Sequence, residues 1–317
     1  MKKLLFLLFG VFIFTSSYAQ TAAFSEEIIT LKMASGTLEG TLVVPEKKEK
    51  CPLVLIIAGS GPTDRDCNSA AGLKTNSFKH LAAELAAQGI ASLRYDKRFV
   101  GKSKVKQNVA DVTFDDYVND AVQWLDTLKT LDKRFNKIIV AGHSEGSLIG
   151  ILAVQKTETD AYISLCGPAQ TMDAMILEQI NKQAPALTPQ LAAIYDKWRK
   201  GEKTDTIPPM LMSVANPYVR KFMISQMNYI PKLEIGKVKI PILIVSGKND
   251  IQVLPKEAEA LLQGNPKAQI KYFDNMTHVL KDGDTNPATL MKTYNNPDLP
   301  LTVGLSNTIS DFIKKLK

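Results

Sequence analysis

The sequence predicts an α/β protein: a mostly parallel sheet with helices on both faces, interrupted by one helical insertion. Three observations carry this. PLVLIIAG (52–59) is a short continuous apolar run, as expected of a strand buried on both faces, and KIIVAGHS (137–144) and AYISLCGP (161–168) also read as strands. The segments around them place apolar residues at helical spacing, and alternating strands and helices imply parallel pairing. The rhythm stops between 169 and 236, where the chain is Met-, Gln- and Lys-rich, and resumes at KIPILIVSGKND (239–250).

Taken in order, MKKLLFLLFGVFIFTSSYAQ has Lys2 and Lys3, an apolar run from Leu4 to Phe14, and Ser17-Tyr18-Ala19 as a small-x-small cleavage pattern. It predicts a secretory signal peptide over 1–19. The run has about half the ~20 residues a spanning helix needs; an uncleaved anchor is the alternative. The expectation is an exported chain, periplasmic or extracellular, without stable membrane insertion after cleavage.

The α/β domain is expected over 20–317. EEIITLKMASGTLEGTLVVP (26–45) reads as an antiparallel hairpin turning at Ser35-Gly36. After 52–59, Ser77 is placed to cap a helix with Phe78, Leu81, Ala82, Leu85 and Ala86 on one face. GIASLRYD (89–96) is a strand. Thr113 opens a helix through Phe114, Val118, Ala121, Val122, Leu125 and Leu128. SLIGILAVQK (147–156) is helical. The insertion at 169–236 is expected to cap the carboxyl edge of the sheet, where open α/β folds bind ligands. A helix at 255–263, a strand at 268–274, a loop over 281–300 and a last helix near 303–316 complete the domain.

Thirty-nine basic residues against 32 acidic give +7, or +5 without Lys2 and Lys3. These charges are interspersed, as in PEKKEK (45–50), which fits a solvated surface and excludes the clustering a nucleic-acid partner needs. Cys51, Cys67 and Cys166 are an odd count in a chain too long to need stapling, so free thiols are expected; Cys67 with Cys166 is the one pairing considered.

GHSEG (142–146) lies between a predicted strand and a predicted helix. That is the context in which G-x-S-x-G exposes a nucleophilic serine at a sharp turn, the glycines removing side chains that would clash. Outside that context the pattern is only a glycine-rich turn. A serine hydroxyl needs a base, and the chain has three histidines. His143 is inside the elbow, expected to face away from the serine; His80 is early and expected at the surface. His278, in FDNMTHVL, alone follows the resumed strands, as the order Ser, Asp or Glu, His requires. Asp250, closing ILIVSGKND at a strand tip, is the expected acid, with Asp274 as competitor. An oxyanion hole needs two backbone N–H groups. Glu145 supplies one, and the loop AGSGPTDRD (58–66) supplies the other from Ser60, with Gly61 as the alternative.

At this point the chain resembles the α/β-hydrolase superfamily, and more narrowly bacterial carboxylesterases of the serine-aminopeptidase-like (S33) group. GTLVVP, AGSGPTDRD, RYDKRFVGKS (94–103), GHSEG, SGKND and the His278 segment carry the likeness in this order. The resemblance implies Ser144, Asp250 and His278 as triad, hydrolysis of a small-molecule ester through an acyl-enzyme, and no metal or organic cofactor. There are two departures: Ala58-Gly59 stands where many relatives have His-Gly, and Phe99 stands where glycine is usual in D-x-R-G-x-G. Gly59, Gly61, Arg65, Asp66, Arg94 and Asp96 are candidate substrate or loop supports; the charged ones, with Arg98, either brace the oxyanion loop or form ordinary surface pairs. Glu145 is a candidate to set substrate charge preference. DGDTN (282–286) lacks the glycine and glutamate of a calcium loop, and the histidines show no zinc spacing. Peptide hydrolysis, thioester hydrolysis and a catalytically weak binding protein are the rival readings.

Overall fold

The computed structural model describes residues 24–317 except 47, 48, 71, 132 and 205; the expected signal peptide lies outside the described residues. The chain runs β1 (Phe24–Met33), β2 (Gly36–Pro45), β3 (Cys51–Ile57), the small ribbon β4 (Asn68–Ser69) and β5 (Leu73–Lys74), α1 (Ser77–Ala87), β6 (Ala91–Tyr95) and β7 (Lys104–Val105). It continues with α2 (Phe114–Leu131), β8 (Phe135–His143), α3 (Glu145–Lys156) and β9 (Ala161–Leu165). Then come α4 (Met172–Gln183), α5 (Thr188–Arg199), α6 (Arg220–Gln226), α7 (Pro231–Ile235), β10 (Ile242–Gly247), α8 (Pro255–Gly264), β11 (Gln269–Phe273), α9 (Pro287–Tyr294) and α10 (Leu305–Lys314).

Strand alternation sets the layers. Along β3, Leu53, Leu55 and Ile57 enter one apolar cluster, and Val54 and Ile56 enter another. Successive side chains face opposite ways, so a strand apolar at every position is buried on both faces. The first cluster is closed by Phe114, Val118 and Trp124 of α2, Leu148 and Ile149 of α3, and Leu261 of α8. The second is closed by Phe78, Leu81 and Leu85 of α1 and by Leu305, Ile309 and Phe312 of α10. Leu55 is fully buried; cutting it to Ala costs about 2–5 kcal/mol.

Among the described residues the main sheet has nine strands, ordered β1-β2-β6-β3-β8-β9-β10-β11 with β7 on β2. The pairings from β6 to β11 are parallel, and β1 and β2 form the antiparallel hairpin at the edge. From β3 the chain goes to β6 on one side and then to β8 on the other, so the order reverses at β3. A crevice opens outside the carboxyl ends at such a point.

Two local expectations are corrected. Ser77 is inside α1 rather than its cap; Asn76, in the left-handed region, holds the cap position, and the Ser77 hydroxyl donates to the Val279 carbonyl. The 281–300 stretch contains α9, started by the Asn286 side chain accepting from the Ala288 N–H with Pro287 in the first turn. The three cysteines are buried, and Cys67 and Cys166 are not joined to each other. Among the described residues, no helix is long and apolar enough to cross a membrane.

Candidate active site

Every candidate residue except Arg94, which lies within β6, follows a strand end. The loop 58–66 follows β3, Asp96 follows β6, Ser144 follows β8, Asp250 follows β10, and His278 follows β11. Ser144 sits between β8 and α3 at φ 54° and ψ −122°, a backbone conformation a non-glycine residue holds only when its surroundings over-determine it. The glycines make that possible. A Cβ at Gly142 would lie 2.1 Å from the Gly146 carbonyl oxygen, and one at Gly146 would lie 2.4 Å from that of Ile57. The Ser144 N–H is tied to the Leu165 carbonyl at 2.9 Å. The Glu145 amide begins α3, whose N-terminal end favours negative charge.

His278 Nδ1 and Asp250 Oδ2 are 2.7 Å apart, both buried. A carboxylate accepts, so Nδ1 carries the proton and Nε2 is left as a base. Asp250 is fixed in turn: its Oδ1 accepts from the Gln252 and Val253 N–H groups at 2.8 and 2.9 Å. Burial, with the Asp250 charge nearby, pushes the Cys166 thiol's pKa well up. Asp274, the competing acid, is instead an exposed partner of Lys248. Ser144 and His278 line one cleft of about 300 Å³, together with Gly59, Ser60, Gly61, Gln252 and Tyr294. Among the described residues no hydrogen bond joins the Ser144 hydroxyl to His278; such contacts often tighten only with substrate bound.

His143 does more than face away from the serine. Its ring centroid is 4.8 Å from that of His278, and its Nε2 donates to the His278 carbonyl at 2.7 Å. Burial, then the neighbouring His278, lowers its pKa to about 3, so it is neutral in use. His143, Cys166 and His278 offer nitrogen and sulfur atoms within 4.8 Å of one another, a cluster that sequence spacing does not reveal. Two of its ring nitrogens are hydrogen-bonded, to the His278 carbonyl and to Asp250, which fixes how both rings sit. His80 is half-buried, its Nε2 bonded to the Pro297 carbonyl.

The charged candidates tie the loop 58–66 to the strands beside it. Arg65 reaches Asp96 and Glu39, each at 2.7 Å, and the Arg65 N–H donates to Asp96 at 2.9 Å. Arg94 pairs with Asp66 at 2.7 Å and with Glu26 at 3.2 Å. Arg98 does not take part; it forks onto Asp120 at 2.6 and 2.7 Å. Lys97, not singled out by sequence, is the other support. Its buried ammonium donates to the carbonyls of Gly59 and Gly61. In a trans peptide the N–H points opposite the C=O. Fixing the Gly59 carbonyl on Lys97 therefore turns the Ser60 N–H away from the ammonium. Burial, opposed by the Glu145 charge, lowers the Lys97 pKa. Glu145 is 4% exposed, so its carboxyl lies under the insertion rather than on the rim, accepting from Gln226 of α6 at 3.2 Å. Burial pushes its pKa up.

Comparison with known proteins agrees with this architecture. Esterase EstD of Thermotoga maritima is 26% identical over 282 residues, 87% of this chain; the chain spans 65% of that relative's length. Among solved structures, Est1E from Butyrivibrio proteoclasticus, with ferulic acid bound, superposes at TM-score 0.60 with 22% identity, covering 91% of this chain and 98% of its own. The Pyrococcus furiosus esterase PF2001 gives 0.56 at 17%, covering 92% of each. A thermophilic esterase from Thermogutta terrifontis gives 0.54 at 17%, covering 92% and 99%. These are α/β-hydrolase folds, as is this chain. The family described as serine aminopeptidase, S33, matches residues 71–284, and this chain belongs to it.

Proposed function

We propose that this chain is an exported serine esterase that cleaves small carboxylic esters through Ser144, His278 and Asp250. The observation that carries the reading is the buried Asp250–His278 bond, which leaves Nε2 as a base in the cleft that also holds Ser144 on its strained turn. The esterase name of the Thermotoga maritima relative supports the choice of bond.

The Ser144 oxygen attacks the ester carbonyl carbon while its proton passes to His278 Nε2. The carbonyl electron pair moves onto oxygen, which the Ser60 and Glu145 amides hold. Collapse breaks the carbon–alkoxide bond; the alkoxide takes the proton from His278 and leaves as alcohol. Water then adds to the acyl-enzyme, giving its proton to His278, and Ser144 departs with that proton as the acid is released. Asp250 stabilises the imidazolium throughout. The chemistry needs no metal or organic cofactor. In the same reading the 1–19 segment is removed on export, and the mature chain begins at Gln20.

The test is kcat/KM on 4-nitrophenyl acetate and on an aminoacyl 4-nitroanilide, for the wild-type protein and Ser144→Ala. Ester cleavage that dominates and vanishes in the variant is expected. A faster arylamide would make it a peptidase, and activity kept in Ser144→Ala would remove the mechanism.

A further inference from the structure

Phe99 holds φ 63° while 40% exposed. A bulky side chain in the left-handed region is an outlier that glycine would avoid. The turn around it leaves no choice. Asp96 Oδ2 accepts from the Lys102 N–H at 2.8 Å, Ser103 Oγ donates to the Asp96 carbonyl at 2.7 Å, and the Val100 N–H donates to the Lys97 carbonyl at 3.1 Å. A strained residue with an exposed aromatic ring, in a turn that does not need the ring, calls for a use of the ring.

Its position supplies one. Phe99 lines a cavity of about 280 Å³ and another of about 560 Å³, and Pro62 borders both and the cleft that holds Ser144. The smaller cavity is also walled by Tyr117 and Phe222, whose rings meet edge to face at 5.1 Å. Glu145 and Gly61, from the two sides of the oxyanion site, are in its wall, whereas His278 is not. His278 must protonate the departing alkoxide, so the alcohol lies toward His278 and the acyl group toward the other side. An engineered apolar cavity of about 150 Å³ takes up benzene, so this cavity has room for one aromatic ring.

Resting on the esterase reading above, we infer that Phe99 is a specificity-determining residue, and that the cavity beside it takes the aryl end of an arylalkanoyl ester. The ring lies against the edges of Phe99, Tyr117 and Phe222, an arrangement aromatic pairs favour.

The experiment holds the leaving group constant and varies the acyl group: 4-nitrophenyl acetate against 4-nitrophenyl 3-phenylpropanoate, for wild-type, Phe99→Ala, Phe99→Gly and Phe99→Tyr. Phe99→Ala and Phe99→Gly are expected to raise KM for the phenylpropanoate about tenfold and to leave acetate turnover within about twofold. Phe99→Tyr keeps the preference. Phe99→Gly, which loses the ring and the strain together, should melt about 2–4 °C above Phe99→Ala. Equal loss on both esters, or no change in either, would overturn the assignment. If wild-type protein turned over neither ester, the esterase reading would fail. Calorimetric binding of the intact phenylpropanoate to Ser144→Ala, weakened about tenfold by adding Phe99→Ala, would still decide the cavity; binding unaffected by Phe99 would overturn it.

Discussion

The two flanks of Ser144 are built differently. On the His278 side the polar groups are held by a dense set of directed hydrogen bonds. Asp250 takes bonds from His278 and two backbone amides. The loop carrying the base is closed by the Thr277 N–H and hydroxyl on the Lys281 carbonyl, by Ser77 on the Val279 carbonyl, and by the Lys281 ammonium on Asn296. On the opposite side, the 169–236 helices pack on their own cluster of Leu191, Trp198, Leu211, Met223 and Met227. They meet α2 through rings, Phe222 on Phe114 and Tyr117, and through polar ties at the edges, such as Ser225 to the Phe114 N–H, Tyr229 to Asp115 and Gln226 to Glu145. Reacting atoms need fixed geometry and substrates need accommodation. On the proposed mechanism, the first flank supplies the former, and apolar, Met-containing packing supplies the latter.

The sharpest way to break this contrast is at the reacting atoms. Ser144→Ala is expected to lower ester kcat/KM by about 10⁴-fold or more, and His278→Gln by a similar factor, with Asp250→Asn at about 10³–10⁴. Thermal melting of Ser144→Ala should be unchanged. Next is the oxyanion loop. Lys97→Met frees the Gly59 and Gly61 carbonyls and should cut kcat about 10²-fold with KM little moved, as expected for loss of an oriented donor. A proportional rise in KM would instead assign Lys97 to substrate binding.

His143 tests the polar flank through stability. Its folded pKa of about 3 is far below the ordinary 6.5. Between those values the unfolded chain takes up a proton and the folded protein does not, so stability falls as pH drops from 6.5 toward 3, on the order of 1 kcal/mol per pH unit. His143→Gln keeps a donor for the His278 carbonyl but cannot titrate. Its urea-unfolding free energy should show a shallower pH slope over that window than wild type; an identical slope would show that His143 does not carry it. The smallest effect is expected on the other flank. Gln226→Ala removes one bond to Glu145 and should change kcat/KM less than about tenfold. A loss approaching that of Lys97→Met would mean the insertion positions the catalytic loop as well as covering it.

The sheet and its layers were legible because β3 and β10 are largely apolar and β8 is apolar from Ile138 to Gly142, a continuous pattern that a doubly covered sheet favours. The placement of Ser144, Asp250 and His278 at the ends of β8, β10 and β11 was legible for another reason: G-x-S-x-G marks a strand-to-helix turn, and three histidines leave little choice. Lys97 was hidden because its task is to hold carbonyls, which no motif marks. The support from His143 depends on β8 being a neighbour of the His278 loop, a tertiary fact. Arg98 chose Asp120, on the facing helix α2, over the acids nearer in sequence. Helix α9 did carry its signals, Asn286 and Pro287, but eight residues among prolines and asparagines make a weak period.

The central claim is that this framework activates Ser144. A fluorophosphonate label followed by mass spectrometry, on the folded protein and on Ser144→Ala, reads that directly. A single adduct on Ser144, absent in the variant, is the predicted result. A folded protein that takes no label, or takes it elsewhere and keeps it in Ser144→Ala, would contradict the account.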